Sequence, residues 1–151
     1  MLIITEPHRR VTPEALAGKE QDALVLTWEE RRWGRRRAVT RNGREVALAL
    51  PTGSMMAPGS VLAVEEDWYL VVEPAPEPVL AATPRNQVEA IRVAFEVGNR
   101  HFSLALESGS PLTMLVPDDP AMEQLLARVG VPWERRIAVF NPIGGGGHPH
   151  A

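Results

Sequence analysis

The chain has 151 residues, 44% of them hydrophobic, a formal net charge of −3 and no cysteine. This length suits one ordinary domain or two small ones, and the missing thiols exclude disulfide bonds, thiolate metal sites and cysteine nucleophiles. The slightly acidic charge argues against a protein that binds nucleic acid through bulk charge. No stretch approaches the ~20 apolar residues of a membrane-spanning helix, and the N-terminus lacks the features of a signal peptide. We therefore expect a cytoplasmic protein.

Residues 1–74 predict a small all-β domain. Short apolar runs with β-branched residues at 2–4 and 23–26 are typical of strands. The pair Asn42-Gly43 separates two apolar runs and predicts a hairpin with a type I′ turn. Residues 60–73 predict two more strands around a tight acidic turn, and the only helical signal is a single turn at 12–16.

The segment 73–79, EPAPEPV, carries three alternating prolines and little that could be buried. Such a composition predicts an extended and fairly stiff linker. The pattern of apolar residues changes after it, so we expect a second domain over 75–141.

A helix is predicted soon after this linker. Thr83 and Pro84 provide an N-cap and a first helical residue. Val88, Ile91 and Phe95 then recur at i, i+3 and i+7, the spacing of an amphipathic helix. A glycine at position 98 marks its expected end.

The rest of the second domain alternates in the same way. Asp119-Pro120 begins a second helix, whose apolar stripe ends before Gly130. Strands are predicted at 79–82, 102–106, 112–116 and 137–140. The resulting order, β-α-β-β-α-β, predicts a ferredoxin-like domain with both helices on one face of a four-stranded antiparallel sheet. The fold class is therefore α+β.

Residues 142–151, PIGGGGHPHA, form a tail that we expect to be flexible because four consecutive glycines lose much backbone entropy when ordered. The tail carries His148 and His150, two of the four histidines in the chain. These imidazoles could close over a metal held elsewhere, and nitrogen ligands without sulfur suit Ni²⁺, Cu²⁺, Zn²⁺ or Co²⁺. A low-complexity end without a function is the alternative.

His101 lies where the first predicted helix gives way to a strand. It is either a capping or surface histidine or a metal ligand. One imidazole alone makes a poor metal site. A two-fold axis close to His101 would bring the same residue from a second chain opposite it, because an isologous interface is self-complementary.

An arginine-rich stretch spans residues 29–44 and holds seven arginines, with Trp28 and Trp33 in or beside it. Arginine with aromatic residues is a cue for nucleic acid. The acidic total charge favours instead a solvated hairpin edge or a surface for an acidic protein partner. No catalytic motif for a serine hydrolase, a P-loop nucleotide-binding protein or a zinc protease is present, so we do not expect an enzyme.

Four features in this order resemble the UreE family of urease accessory proteins. They are the run EERRWGRRR followed by a hairpin, the proline-rich segment near residue 75, the sequence Gly98-Asn99-Arg100-His101 between helix and strand, and a tail with histidines. The resemblance covers nearly the full chain, and the GNRH sequence is its most specific element.

The resemblance implies a nickel metallochaperone with an N-terminal β domain that binds a partner or peptide and a C-terminal ferredoxin-like domain that dimerises. His101 of each subunit would share one Ni²⁺, with Zn²⁺, Cu²⁺ or Co²⁺ as substitutes in vitro, and His148 and His150 would add ligands. The implied partners are a second copy of the chain, the UreG GTPase and the urease apoprotein complex. Whether two such dimers share one metal is left open.

The chain departs from many UreE relatives in having Glu96 where they carry a histidine, and only two histidines in its tail, so we expect few secondary metal sites. The rival hypothesis is a peptide- or RNA-binding adaptor whose histidines are incidental.

Overall fold

The computed structural model describes residues 1–143. The chain divides into two compact units, the first from Met1 to Ala75 and the second beginning at Pro76. No helix within the described residues is both long and apolar enough to cross a membrane.

The first unit is built almost entirely from strands. Its elements are β1 (Leu2–Ile4), α1 (Pro13–Leu16), β2 (Glu20–Leu26), a 3-10 turn (Glu30–Arg32), β3 (Arg35–Val39), β4 (Glu45–Ala49), β5 (Val61–Val64) and β6 (Trp68–Pro74). The strands form two three-stranded sheets, ordered β1-β4-β3 and β2-β6-β5. Apolar side chains of both sheets share one core, which includes Ile4, Leu24, Val46, Leu48, Leu70 and Val72. The predicted all-β character of this region is confirmed.

The hairpin between β3 and β4 exists, but its turn is not of type I′. That turn needs positive φ at both central residues, whereas Gly43 is at +89° and Asn42 is not in that region. Thr40 donates its N–H to the carbonyl of Arg44 at 2.8 Å and accepts the N–H of Gly43 at 3.0 Å. Thr40 therefore faces both Gly43 and Arg44, as in a β-bulge whose first residue is a left-handed glycine.

A buried carboxylate ties this turn to β2. The side chain of Asp22 is fully buried, and it accepts hydrogen bonds from the Thr40 hydroxyl at 2.5 Å, the Asn42 N–H at 3.0 Å and the Arg44 guanidinium at 2.9 Å. Burial by itself would raise the pKa of Asp22, but the hydrogen bonds from Thr40 and Arg44 hold that pKa below its ordinary value. The charged form is therefore the one that the fold stabilises.

The second unit has the predicted order of elements. They are β7 (Pro76–Ala82), α2 (Gln87–Asn99), β8 (Ala105–Glu107), β9 (Thr113–Pro117), α3 (Pro120–Val129) and β10 (Trp133–Val139). The sheet order is β10-β7-β9-β8, and every pair is antiparallel. This arrangement is the ferredoxin-like one, and it confirms the predicted α+β class.

Both helices pack on the same face of this sheet. Leu80, Ala82, Met114 and Val116 project from β7 and β9 into one core with residues of both helices, namely Val93, Val97, Met122, Leu125 and Leu126. The apolar stripe predicted for α3 is thus buried as expected. The helix also begins at Pro120 with Asp119 as its N-cap and ends against Gly130, as predicted.

The start of α2 differs from the prediction. Its N-cap is Asn86, whose side chain accepts the N–H of Glu89 at 2.9 Å. Thr83 instead donates its N–H to the carbonyl of Pro132 at 2.9 Å. Thr83 is therefore bonded to the chain just before β10, and the Thr-Pro pair does not cap the helix.

The predicted linker at 73–79 is wrong, since β6 and β7 occupy it and only Ala75 lies between them. Prolines are compatible with β7 because their nitrogens, which lack a hydrogen, face β9 and not β10. Pro78 directs its backbone toward β9, and its carbonyl accepts the N–H of Asp118 at 3.4 Å. Pro76, two residues earlier, points the same way, so the ladder with β10 on the other side is left intact.

Candidate metal centre

His101 lies immediately beyond the C-terminus of α2 and is exposed. The helix ends at Asn99 with Arg100 as its C-cap. His101 follows with φ of 61°, and it is the only residue other than glycine with positive φ in the described chain.

Two hydrogen bonds fix this left-handed turn. His101 donates its N–H to the carbonyl of Gly98 at 3.0 Å, and Phe102 donates its N–H to the carbonyl of Val97 at 3.1 Å. This pair of bonds is a Schellman motif, which satisfies carbonyls that a helix end leaves open. Phe102 and Val97 also share the core of the unit. The backbone at position 101 is therefore held in place on both sides.

A left-handed backbone is unfavourable for most side chains, by about 1–2 kcal/mol. Glycine is the usual residue in this position of the motif, and histidine is among the few others found there. Gly98 stands three residues too early to serve, because it lies within the helix. Residues in such conformations concentrate at functional sites, so the observation supports a role for His101 beyond capping.

Glu96 and Arg100 form an ion pair across one helical turn, at 2.5 Å. A second guanidinium, that of Arg128 on α3, lies 3.9 Å from the same carboxylate oxygen. The hydrogen bond from Arg100 is the main reason that the pKa of Glu96 lies below its ordinary value. The Glu96 carboxylate is thus occupied by arginine and is a poor candidate for a metal ligand.

α2 is apolar on two opposite faces. Its inner face carries Val93 and Val97, both fully buried. Val88, Ile91 and Phe95 lie on the outer face with 66%, 67% and 68% of their surface exposed. The stripe on which the prediction of this helix rested is therefore a surface stripe, and the residues that pack on the sheet are others.

The described residues of one chain do not assemble a complete metal site. No group of three or more histidine, aspartate or glutamate side chains suited to a metal occurs within residues 1–143. His8 belongs to the first unit, where it lines a shallow groove with Arg9 and Arg10. His148 and His150 lie outside the described residues. His101 is therefore the one predicted ligand whose surroundings the structure describes.

Sequence reasoning placed His101 at the helix end but missed its left-handed backbone. The available signal was the absence of glycine or asparagine after Arg100, at the position where helices usually carry one of them. It identified the stripe of Val88, Ile91 and Phe95 but not its exposure, because helical spacing identifies an apolar face without telling what covers it.

Two small units, one all-β and one ferredoxin-like with an exposed imidazole at a helix end, define the chain as a two-domain α+β protein. Family models agree with this division. The N-terminal domain model of the UreE urease accessory protein matches residues 4–75, and the C-terminal domain model matches residues 77–151.

Whole-chain relatives carry the name urease accessory protein UreE. The protein from Deinococcus radiodurans is 39% identical over 85% of this chain and 81% of its own length. That from Synechococcus sp. is 39% identical over 95% of both chains. The relative from Ralstonia nicotianae is 37% identical over 84% of this chain but only 60% of its own length.

The chain therefore belongs to the UreE family of urease accessory proteins. By its family, it is an accessory protein rather than an enzyme.

Proposed function

We propose that this protein is a nickel metallochaperone that delivers Ni²⁺ to the urease apoprotein in the cytoplasm. The observation that carries the proposal is His101, an exposed imidazole held in a left-handed backbone at the end of α2, in a chain of the UreE family. An imidazole without neighbouring thiolates is a suitable ligand for Ni²⁺.

The metal would be shared between two copies of the chain. The outer stripe of α2 supports this step, because a helix that is apolar on both faces needs a second surface to cover it. Helical spacing leads from Val88, Ile91 and Phe95 along one face toward position 99, next to His101. Two such helices related by a two-fold axis would bring two His101 side chains together.

Two imidazoles and water form an incomplete shell, from which a metal can leave as well as enter. We infer that His148 and His150, on their glycine tether, supply further ligands while the ion is carried. Ligand exchange with the next protein would then release it. The UreG GTPase and the urease apoprotein complex are the partners to which we assign that exchange.

A calorimetric Ni²⁺ titration with light scattering tests the proposal. His101→Asn is the informative variant, because asparagine accepts a left-handed backbone and removes only the imidazole. We expect one Ni²⁺ for two or four chains in the wild type and an affinity at least ~100-fold lower in the variant, more than the loss of a supporting residue causes. His8→Asn is the matched control and should bind like the wild type.

Deletion of residues 147–151 tests the tail separately. It should weaken binding or lower the stoichiometry, whereas binding equal to that of the full chain would remove the tail from the site. Tight binding that survives in His101→Asn would contradict the shared site. No binding in any form would favour the rival adaptor with incidental histidines.

The pH provides a further check. Metal binding requires neutral imidazoles, so affinity should fall as the pH is lowered through the range in which histidines titrate. An affinity that stays constant from about pH 8 to pH 5 would point to carboxylate ligands instead.

A further inference from the structure

The first unit contains a groove between β2 and β3, which are edge strands of different sheets. Its volume is about 230 Å³, and its lining includes Val25, Glu30, Trp33, Arg36, Arg37 and Val39. Each of the two strands has one side without a neighbouring strand in the described part of the chain. The groove is therefore bordered by backbone as well as by side chains.

One end of the groove is closed by a hydrogen bond from the N–H of Arg41 to the carbonyl of Ala23, at 2.8 Å. Beyond this bond the strands do not pair. Backbone groups of alternate residues in a strand point to opposite sides, and the carbonyl of Ala23 points into the groove. By the same alternation the N–H and C=O of Val25 also face it.

The free edge of β3 can be assigned in the same way. Hydrogen bonds to the β4 side are made by Gly34, whose carbonyl accepts from Leu50 at 2.8 Å, and by Thr40, whose N–H donates to Arg44 at 2.8 Å. The residues between them alternate. The N–H and C=O groups of Arg35, Arg37 and Val39 consequently point away from β4.

The side chains along this edge are basic and apolar. Val25 and Val39 are 37% and 62% exposed. The guanidinium of Arg36 stacks over Trp33 at 4.1 Å from the ring centre. The flat face of the guanidinium contacts the ring in this arrangement. Its N–H groups lie in the guanidinium plane and point outward, so they remain able to donate hydrogen bonds.

The positive charge of this edge is not neutralised locally. Among the described residues, Arg35, Arg36 and Arg37 take part in none of the ion pairs, whereas Arg41 pairs with Glu73 and Arg44 with Glu20 and Asp22. The only carboxylate that lines the described groove belongs to Glu30, and it already accepts the N–H of Thr27 at 2.9 Å.

We propose that this groove binds an extended acidic segment of a partner protein, which adds as a strand to the free edge of β3. The outward N–H and C=O groups of Arg37 and Val39 would bond its backbone, as in other cases of strand addition. Its carboxylates would meet the arginines, whose planar donors suit them, and its apolar side chains would contact Val25 and Val39. The site is independent of nickel and of His101.

A fluorescence anisotropy titration of the full chain tests this proposal. The probe is a short labelled peptide that alternates valine with glutamate, and its twin carries lysine in place of glutamate. We expect the glutamate peptide to bind with a Kd of about 10–100 µM and more weakly as salt increases. Comparable binding of the lysine peptide, or no binding of the glutamate peptide at about 1 mM, would overturn the proposal.

Charge reversal locates the site. Arg35→Glu with Arg37→Glu should weaken binding at least about tenfold. Arg9→Glu with Arg10→Glu makes the same change in net charge at exposed arginines of the same unit, so it is the matched control and should stay within about twofold. Equal losses in both double variants would mean nonspecific attraction and contradict a defined groove.

Backbone pairing is tested apart from charge. Val39→Pro removes an N–H that points outward, so it leaves the ladder with β4 intact and should abolish binding while the thermal midpoint stays close to that of the wild type. A peptide with methylated backbone nitrogens should fail for the same reason. Hydrogen exchange at the amides of Arg37 and Val39 should slow when the unmodified peptide binds. Undiminished binding of the methylated peptide would exclude strand addition.

The same arginines would also discourage edge-to-edge aggregation. If that were their only role, the wild type would have no affinity for the acidic peptide. Charge reversal would then change only the solubility of the protein. The titration with the two peptides therefore separates the two explanations.

Discussion

α2 and α3 pack on the same sheet and share one core, yet they differ on their outer faces and at their ends. α3 ends at Gly130, which has φ of 81°, whereas α2 turns through His101 with φ of 61°. α3 leaves polar residues and alanine outside, whereas α2 exposes Val88, Ile91 and Phe95. α3 is thus an ordinary structural helix, and α2 carries features that its own packing does not require.

The largest expected effect concerns the inner faces. Leu126→Ala on α3 removes a side chain with no exposed surface and should lower the free energy of unfolding by about 3 kcal/mol. Ile91→Ala, on the outer face of α2, should change it by less than about 0.5 kcal/mol. Urea denaturation of dilute, metal-free protein measures both. Similar losses would show that Ile91 is covered within a single chain.

The outer faces should differ in association. Phe95→Asp places a charge in the exposed stripe and should weaken a dimer at least ~100-fold, as expected for a central apolar contact. Gln124→Asp introduces the same group on the exposed side of α3 and should leave the oligomeric state unchanged. Sedimentation velocity over a range of concentrations distinguishes them. A dimer that persists in Phe95→Asp would place the subunit contact elsewhere.

Substitutions at the two helix ends should have opposite effects on the free energy of unfolding. Gly130→Ala puts a side chain at positive φ and should cost about 1 kcal/mol of unfolding free energy. His101→Gly relieves the same kind of strain and should gain about 0.5–1 kcal/mol, with loss of nickel binding. Thermal and urea unfolding in the presence of a chelator measure this. A destabilised His101→Gly would mean that the imidazole itself holds the turn together.

The smallest effect is electrostatic. The pKa of Glu96 is lowered chiefly by the hydrogen bond from Arg100, so this pair stabilises the fold above the ordinary pKa of glutamate. Its contribution disappears as the pH falls through the lower pKa of the folded state. Arg100→Gln should return the pKa toward its ordinary value in a carboxyl NMR titration. No such return would assign the lowered pKa to the other nearby arginines, Arg128 and Arg92.

Much of the fold could be predicted from sequence because its local signals agree with its packing. Asp119-Pro120 and Gly130 bound α3 as expected, and the order of elements identified the ferredoxin-like unit. The prediction of an Asn-Gly type I′ turn failed because Asp22, distant in sequence, bonds Thr40 and Asn42. Local propensity cannot include a partner eighteen or more residues away.

The position of His101 at a helix end was predicted, but its conformation was not. His101 was identified from its position between helix and strand, whereas its left-handed backbone depends on the bonds to Gly98 and Val97. The outer stripe of α2 gave the right helix and the wrong face. The second failure arises because a pattern of side chains does not reveal which of two apolar faces meets the sheet.

The prolines of β7 have a consequence for solubility. Toward β9 the strand has no N–H donors at positions 76 and 78, the carbonyl of Pro78 already accepts the N–H of Asp118, and β9 itself pairs only from Val79 onward. An incoming strand could therefore form only half of its ladder there. Strand edges that lack donors are poor templates for aggregation. Pro76 and Pro78, which look like part of a spacer in the sequence, thus remove the donors from the stretch of a central strand that β9 does not reach.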